Sequence, residues 1–408
     1  MMRWDIFCHV IDNYGDIGVC WRLSRQLAAE HGISVRLWVD DLASLQPLCP
    51  AVDTRLVVQL CQGVELRKWI EPWPDVGPAE VVIEAFGCEL PQRYVEAMAA
   101  PRPCQPDQCP EDKTTKRVWI NLEYLSAESW VEGCHGLASP HPRLPLTKYF
   151  FFPGFSAATG GLLRETGLLA LRAARQRQPA TGWRQLGLSE PETGQTTVSL
   201  FCYDRAPISA LLAAWAAASM PVRCLLPMGK ALAQAAGWAG KTALKAGDHV
   251  MRGNLTLQVI PFLTQADYDR LLWLCDCNFV RGEDSFVRAQ WAARPLVWQI
   301  YPQADNAHQV KLEAFLARYC QGLSNDDTAA VCRFHGCWNG DGQLLDWDDF
   351  WRRRARLQTH ARAWATQLAQ TADLAANLVD FCMNQRTPDQ SNDSTMQGAG
   401  TLSQTAYD

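Results

Sequence analysis

The sequence of 408 residues predicts an α/β protein in which two doubly wound, Rossmann-like domains face a cleft. Short, nearly continuous runs of Val, Ile and Leu alternate with amphipathic stretches, a pattern typical of parallel strands covered by helices on both faces. The pattern occurs twice, on either side of a polar, turn-rich stretch at residues 170–196. Two sheets joined by this stretch are the simplest architecture.

The apolar runs place the strands and the amphipathic runs place the helices. The first-half strands are predicted at Trp4–Ile11, Val35–Val39, Val81–Phe86 and Val118–Leu122. The second-half strands are predicted at Thr197–Tyr203, Val222–Pro227, Leu255–Ile260, Cys277–Val280 and Leu296–Ile300. Helices are predicted at Gly18–His31, Ile208–Ser219, Gln265–Leu274 and Gln303–Tyr319. We expect an N-terminal domain at residues 1–175 and a C-terminal domain at residues 176–345.

Three further segments are predicted to be peripheral. Residues 346–383 predict helices that pack back on the N-terminal domain, with an exposed arginine face formed by Arg352, Arg353, Arg354 and Arg356. The Pro-rich stretch at residues 101–115 predicts a surface loop. Residues 384–408 are polar and nearly free of large apolar groups, so we expect a disordered tail.

Composition narrows the class of function. The net charge of −5 argues against a general nucleic-acid binder, and no apolar run is long enough for a membrane span. Asp5 and Asp12 interrupt the start too early for a signal peptide, so we expect a cytoplasmic protein with reduced cysteines. Cys332, His335 and Cys337 lack a second ligand pair, and we interpret them as a loop coincidence and not as a metal site.

The loop after the first strand carries carboxylates. A dinucleotide-binding turn would have the spacing G-x-G-x-x-G, with bare amides for a pyrophosphate, but residues 12–18 have the sequence DNYGDIG. Asp12 and Asp16 would repel a diphosphate and suit a cation or a proton donor. They form either a base with a cation-orienting partner, or a local pair in which Asp16 caps a helix beginning near Gly18 and Asp12 holds a turn.

The loop after residues 277–280 suits a diphosphate. Arg281 supplies a fixed cation with forked donors, and the N-terminus of a helix predicted at Phe286–Ala293, with Asp284 or Ser285 as its cap, supplies free N–H groups. Glu283 can accept a hydrogen bond from a sugar hydroxyl. The alternative is an ion pair between Arg281 and Glu283 or Asp284 at a domain surface.

Two other strand ends carry aromatic side chains. Phe201 and Tyr203 end the first strand of the second half, and Phe262 and Gln265 follow the strand at residues 255–260. Aromatic faces can stack on a nucleobase, and a glutamine amide can pair with its edge. Core packing and helix capping are the alternative roles for these residues.

Several long segments together resemble one enzyme family. They are WDIFCHVIDNYGDIGVCWRLSRQLAAEHG at residues 4–32, FCYD at 201–204, PFLTQADYD at 261–269 and RGEDSFVRAQWA at 281–292. These segments resemble the bacterial protein-arginine rhamnosyltransferases of elongation factor P, and INLEYLSAESWVEGCHGLASPHP at 120–142 and FFPGFSAATGGLL at 151–163 fit the same family. The resemblance covers residues 4–382.

The resemblance implies a fold and an activity. The family has the GT-B fold and transfers rhamnose, with inversion, from dTDP-β-L-rhamnose to one arginine of elongation factor P. This modification activates the factor for the rescue of ribosomes stalled at polyproline. We expect no cofactor, no metal, and no nucleic-acid or membrane partner. A GT-B enzyme with another sugar or acceptor, and a nucleotide-binding module without catalysis, are the alternatives.

The resemblance also implies residue roles. Asp16 would be the general base, Asp12 its partner, and Glu283 a third catalytic residue. The residues implied to bind dTDP-rhamnose are Asn13, Tyr14, Gly15, Phe201, Tyr203, Phe262, Gln265, Arg281, Glu283, Asp284 and Ser285.

Overall fold

The computed structural model describes residues 2–100, 116–303, 307–340 and 345–386, and its strands form two sheets. The first sheet contains β1 (Arg3–Cys8), β2 (Ser34–Val39), β3 (Val58–Cys61), β4 (Val64–Lys68), β5 (Val81–Ala85), β6 (Val118–Leu122), β7 (Ala138–Pro140) and β8 (Thr147–Phe151). The second contains β9 (Thr196–Leu200), β10 (Val222–Pro227), β11 (His249–Arg252), β12 (Leu255–Ile260), β13 (Cys277–Arg281) and β14 (Leu296–Gln299).

The helices connect the strands and cover both sheets. In the first half they are α1 (Tyr14–His31), α2 (Leu42–Leu45), α3 (Gln92–Ala99), α4 (Trp130–Cys134), α5 (Leu168–Arg177) and α6 (Pro179–Gln185). In the second half they are α7 (Ile208–Ala216), α8 (Leu232–Ala239), α9 (Gln265–Leu274), α10 (Asp284–Ala292), α11 (Ala307–Tyr319) and α12 (Asn325–Trp338). The last three are α13 (Trp347–Trp351), α14 (Arg354–Leu368) and α15 (Leu374–Arg386).

Both sheets are doubly wound. The first has the order β3-β4-β2-β1-β5-β6-β8-β7, and only its edge strands β3 and β7 run antiparallel to their neighbours. The second has the order β11-β12-β10-β9-β13-β14, with β11 antiparallel at one edge. The chain leaves in opposite directions from the central strands β1 and β9, and ligands of such sheets bind at the carboxyl ends of the strands near this reversal.

The last helix returns to the first sheet. Leu374, Leu378 and Cys382 of α15 are buried in the same apolar cluster as Ile6 of β1. Helix α5 contacts α9 of the second sheet. The domain boundary predicted between residues 175 and 176 falls inside α5 and stays a prediction.

A buried network of charges joins the two domains. Arg22 of α1 lies 3.0 Å from Asp269 of α9, 2.7 Å from Asp284 of α10 and 3.3 Å from Glu165. Arg288 of α10 contacts Asp269 at 2.8 Å and Glu165 at 2.7 Å. Buried charges are costly unless they are paired, so these contacts favour one relative placement of α1 and α10.

Some sequence expectations for the second half were wrong. Arg353 was expected on an exposed face, but it is only 7% exposed and pairs with Asp327 and Asp349. Cys332, His335 and Cys337 lie on helix α12 and not in a loop. The imidazole of His335 is buried and lies 3.0 Å from the carbonyl oxygen of Val331. Within the described ranges, no group of three or more His, Cys, Asp or Glu side chains is arranged to hold a metal ion.

Helix α15 continues to Arg386, so residues 384–386 of the predicted tail are helical. The rest of the predicted tail and the predicted loop at residues 101–115 lie outside the described residues. No helix in the described part of the chain combines the length and apolar character that a membrane span requires.

Candidate active site

The carboxylate of Asp16 is held against the loop after β1. Helix α1 begins at Tyr14, so Asp16 lies in its first turn. Its Oδ2 accepts hydrogen bonds from the backbone N–H groups of Ile11 and Asp12, both at 2.8 Å. The alternative in which Asp16 caps a helix beginning near Gly18 is therefore wrong, because the helix begins four residues earlier.

A tyrosine from another loop completes the surroundings of Asp16. Tyr124, which follows β6, lines the same cavity as Asp16. Burial raises the pKa of Asp16, and the backbone N–H groups and Tyr124 oppose that rise because they stabilise the ionised form. A buried acid of this kind in a cleft is a candidate base.

Asp12 faces the second domain. The hydroxyl of Tyr203 donates to its Oδ2 at 2.5 Å, and Nη1 of Arg281 lies 3.5 Å from its Oδ1. Burial raises the pKa of Asp12 to about 6, although the charge of Arg281 opposes the rise. Gly282 has a φ of 57°, and a Cβ added to it would lie 2.6 Å from the Asp12 carboxylate. Glycine at this position therefore lets the two domains meet.

The guanidinium of Arg281 is enclosed by aromatic rings. Its central carbon lies 4.4 Å from the ring centroid of Tyr203, 4.8 Å from that of Phe201 and 5.8 Å from that of Tyr14. The hydroxyl of Ser285 accepts from the backbone N–H of Arg281 at 3.0 Å and closes the turn. The side chain of Arg281 is thus a fixed cation whose ring-lined position suits a planar or anionic ligand.

Glu283 belongs to the acidic side of the site. Its Oε2 accepts a hydrogen bond from the backbone N–H of Leu125 at 3.0 Å, which crosses between the domains. Burial raises the pKa of Glu283 to about 8. The alternative predicted for Arg281 was an ion pair with Glu283 or Asp284. It is wrong, because Arg281 pairs with Asp12.

Gln265 and Asp284 are bonded to the N-terminal domain. The amide of Gln265 donates to the carbonyl oxygen of Gly18 at 2.9 Å and to Asp284 at 3.2 Å, and it accepts from Arg25 at 3.0 Å. Asp284 also accepts from Arg22. Both N–H groups of the Gln265 amide are therefore in use, and its predicted pairing with a nucleobase would require these bonds to open.

Three cavities line the cleft. We call the first the aromatic pocket, lined by Tyr14, Phe201, Phe262, Gln265, Tyr268, Arg281, Asp284 and Ser285 among others. A second cavity of about 360 Å³ adjoins it and is lined by Asn13, Tyr14, Phe201, Gly229, Lys230 and Arg281 among others. We call the third, of about 220 Å³, the acidic cavity, lined by Asp12, Asp16, Tyr124, Glu283, Tyr301 and Lys311 among others.

The predicted site residues come together around these cavities. Asp12 and Gly15 line both the aromatic pocket and the acidic cavity, so the two are neighbours. The rings of Tyr14 and Phe262 pack across the domains with centroids 4.7 Å apart. Tyr203 is not among the residues that line these three cavities, and its hydroxyl holds Asp12 instead.

The sequence analysis missed Tyr124 and Lys230. Each lies on a loop that directly follows a central parallel strand, β6 for Tyr124 and β10 for Lys230. Ligands of doubly wound sheets bind at this edge, so the polar residues after every strand were candidates.

The acidic cavity holds paired acids, and the aromatic pocket beside it holds a fixed cation among aromatic rings. This arrangement suits a reaction between a cationic acceptor and an anionic nucleotide. Two Rossmann-like domains around such a cleft, with the last helix returning to the first domain, are the GT-B glycosyltransferase arrangement that the family resemblance implied.

Comparisons with known proteins identify the family. The family model described as elongation factor P (EF-P) rhamnosyltransferase EarP matches residues 4–383, and the chain belongs to this family. The protein-arginine rhamnosyltransferase of Pseudomonas putida is 51% identical over 388 residues, which are 93% of this chain and 98% of the relative. Its counterpart in Pseudomonas aeruginosa is 46% identical over 93% of this chain and 99% of the relative.

A solved structure supports the same assignment. It is described as the structural basis for EarP-mediated arginine glycosylation of translation elongation factor EF-P. It is 38% identical, with a TM-score of 0.64, and the match covers 94% of this chain and 99% of that one. The family resemblance and the enzyme class predicted from the sequence are therefore confirmed.

Proposed function

We propose that this enzyme transfers rhamnose, with inversion, from dTDP-β-L-rhamnose to an arginine side chain of elongation factor P in the cytoplasm, and so activates the factor for ribosomes stalled at polyproline. One observation carries the proposal. Acids from both domains, Asp12, Asp16 and Glu283, line a single cavity beside a pocket of aromatic rings and Arg281.

The acidic cavity suits the guanidinium of the acceptor. Its carboxylates have raised pKa values because they are buried, and a cation beside them would favour their ionised forms. A guanidinium has a pKa of about 12.5 or higher, so a carboxylate cannot deprotonate it in advance at neutral pH. The acids can instead orient the planar fork and accept its proton as the new bond forms.

The aromatic pocket and the adjoining cavity suit the dTDP group. Arg281 and Lys230 supply positive charge close to Asp12, and Phe201, Tyr14 and Phe262 supply aromatic faces for a base or a sugar. Positive groups that are already in place stabilise the diphosphate as its charge develops. We expect that the reaction needs no metal and no cofactor, because these side chains supply that stabilisation.

The proposed step is a single displacement. A guanidinium nitrogen attacks C1 of rhamnose from the side of the acidic cavity, and the bond from C1 to the diphosphate oxygen breaks. The proton of the attacking nitrogen passes to Asp16, and dTDP leaves with the electron pair of the broken bond. Because the displacement has one step, the configuration at C1 inverts and no covalent intermediate with the enzyme forms.

Intact mass spectrometry of elongation factor P tests this activity. Incubation with the enzyme and dTDP-β-L-rhamnose is expected to add the mass of one deoxyhexose, with or without EDTA, and fragmentation should locate it on arginine. Parallel reactions with dTDP-glucose test whether another sugar is accepted. An unchanged mass in the rhamnose reaction would contradict the proposal, and loss of product in EDTA would contradict its metal independence.

Arg281→Met is expected to weaken the binding of dTDP. Methionine keeps much of the apolar volume among the rings but removes a charged hydrogen-bond donor, and a bond to a charged group contributes about 1.5–3 kcal/mol. We therefore expect the Kd for dTDP, measured by calorimetry, to rise roughly 10- to 100-fold. Arg252→Met is a matched control, because Arg252 lies 4.8 Å from the Trp238 ring centroid, outside the cavities described above. Equal affinities in the two variants would remove Arg281 from the donor site.

A further inference from the structure

We propose that Cys49 and Cys61 form a modification site, at which an oxidant of the peroxide class joins the two thiols as a disulfide that weakens nucleotide binding in the aromatic pocket. Formation of the disulfide does not depend on the proposed function. The nucleotide as the ligand of the aromatic pocket does rest on it. Neither thiol takes part in the transfer described above.

The two thiols are already in contact. Sγ of Cys49 lies 3.3 Å from Sγ of Cys61, and the two residues are only 2% and 7% exposed. The sulfurs of a disulfide are about 2.0 Å apart, so these two need to approach by only roughly 1.3 Å. Rotation of the side chains and a small backbone shift supply that distance without refolding.

Ordered elements hold the two cysteines at this place. Cys49 follows helix α2, and its backbone N–H donates to the carbonyl oxygen of Leu45 at 3.0 Å. Cys61 ends β3, and the turn of Gln62 and Gly63 leads from it into β4. Both cysteines are buried in the apolar cluster that covers the first sheet. The contact between the thiols therefore belongs to the folded domain.

Cys49 is directly connected to the aromatic pocket. Its neighbour Leu48 is one of the residues that line this pocket. A disulfide that draws Cys49 towards β3 also moves the backbone that carries Leu48. The wall of the aromatic pocket then changes its shape.

A chain of hydrogen bonds makes a second connection. The amide Nε2 of Gln62 donates to Sγ of Cys49 at 3.6 Å, and its Oε1 accepts from Arg25 at 3.2 Å. Arg25 also donates at 3.0 Å to Oε1 of Gln265, which lines the aromatic pocket. Gln62 has a φ of 49°, a conformation that is uncommon for residues with a Cβ. A shift of the Cys49 sulfur therefore disturbs the group that orients Gln265.

Cys61 is the thiol that reacts first. It is the more exposed of the two, and the positive charge of Arg25 favours its thiolate. Burial and the neighbouring thiol of Cys49 nevertheless raise the pKa of Cys61. The thiolate is the reactive form, so the reaction is slow and the pair stays reduced without an oxidant. Hydrogen peroxide is small and uncharged, which suits a thiol with so little exposed surface.

Two steps form the disulfide. The sulfur of Cys61 attacks one oxygen of hydrogen peroxide, the O–O bond breaks, and the leaving hydroxide departs as water with the proton of the thiol. The sulfur of Cys49 then attacks the sulfenic acid of Cys61, the S–O bond breaks, and a second water leaves with the proton of Cys49. The two thiols lose two electrons, and the peroxide is reduced to two water molecules.

The test compares the full-length enzyme before and after treatment with hydrogen peroxide. Non-reducing digestion and mass spectrometry should find the Cys49 and Cys61 peptides linked, with two hydrogen atoms fewer than the free thiols. The Kd for dTDP, measured by calorimetry, should rise about fivefold or more, the lower end of typical coupling between two sites. Dithiothreitol should reverse both changes.

Three variants identify the source of the change. Cys49→Ala and Cys61→Ala remove one thiol of the pair, so their Kd for dTDP should not respond to peroxide. Cys224→Ala is the matched control, because Cys224 is a buried thiol in the apolar cluster of the second sheet. It should respond as the parent does. A peroxide response that persists in Cys61→Ala would place the cause at another residue and contradict the proposal.

The parent enzyme alone also decides the proposal. Absence of the link between Cys49 and Cys61 after peroxide would overturn it, and so would a linked enzyme whose Kd for dTDP is unchanged. Hydrogen exchange of residues 262–268, which contribute to the aromatic pocket, makes the same comparison without nucleotide. If the reduced parent binds no dTDP, the proposed function fails, and hydrogen exchange still shows whether the disulfide alters the pocket.

Discussion

Asp16→Asn is expected to lower the rate of rhamnosyl transfer by about 10²–10⁴-fold, the usual contribution of a general base. The asparagine amide has the shape of the carboxylate but cannot accept the guanidinium proton or balance its charge. The substitution leaves Arg281 and the aromatic pocket intact, so the Kd for dTDP should stay unchanged. Single-turnover mass spectrometry measures the rate, and calorimetry measures the affinity.

Asp40→Asn is the matched control for this experiment. Asp40 follows β2 at the same edge of the sheet and accepts from the backbone N–H of Val10 at 3.0 Å, but it does not line the three cavities described above. We expect it to transfer at close to the parent rate. Transfer at the parent rate by Asp16→Asn would show that Asp16 is not the base.

Arg22→Met is expected to produce the largest loss of stability. Arg22 is buried and contacts three carboxylates, those of Glu165, Asp269 and Asp284. Its removal would leave Arg288 as the remaining cation of the network described above. Breaking a buried ion pair in this way costs about 3–5 kcal/mol, so the urea midpoint of unfolding should fall clearly.

The control for Arg22 is an exposed pair of the same type. Arg55 lies 2.7 Å from Asp53, and its side chain is 86% exposed. Solvent screens such a pair, so Arg55→Met should leave the urea midpoint unchanged. If Arg22→Met also unfolds at the parent midpoint, the charge network does not hold the domains together.

The sequence predicted the sheets because their central strands are buried on both faces. Strands β5 and β6 are buried along their whole length, and the corresponding apolar runs predicted them closely. The hairpin of β3 and β4 was missed because β3 lies at a sheet edge, where exposed and buried positions mix and the apolar run is broken. Periodicity detects buried elements well and partly exposed edges poorly.

The site was predicted as a set of residues but not as a set of contacts. Loop chemistry and family resemblance named Asp16, Glu283 and Arg281. They could not show that Arg281 pairs with Asp12, because the two are 269 positions apart in the chain. Tyr124 lies in the segment at residues 120–142 that resembles the family, but nothing in that segment indicated that its side chain lines the acidic cavity. Contacts between domains depend on tertiary geometry, which local pattern does not encode.

The most direct test of the central claim is a cycle of single-turnover rates for the parent, Asp16→Asn, Glu283→Gln and the double variant. The claim is that acids from opposite domains act together on one guanidinium. Residues that act as a unit are strongly non-additive, so the double variant should be within about tenfold of the slower single variant. A double variant whose loss equals the product of the two single losses would show that Asp16 and Glu283 act independently, and it would contradict the claim.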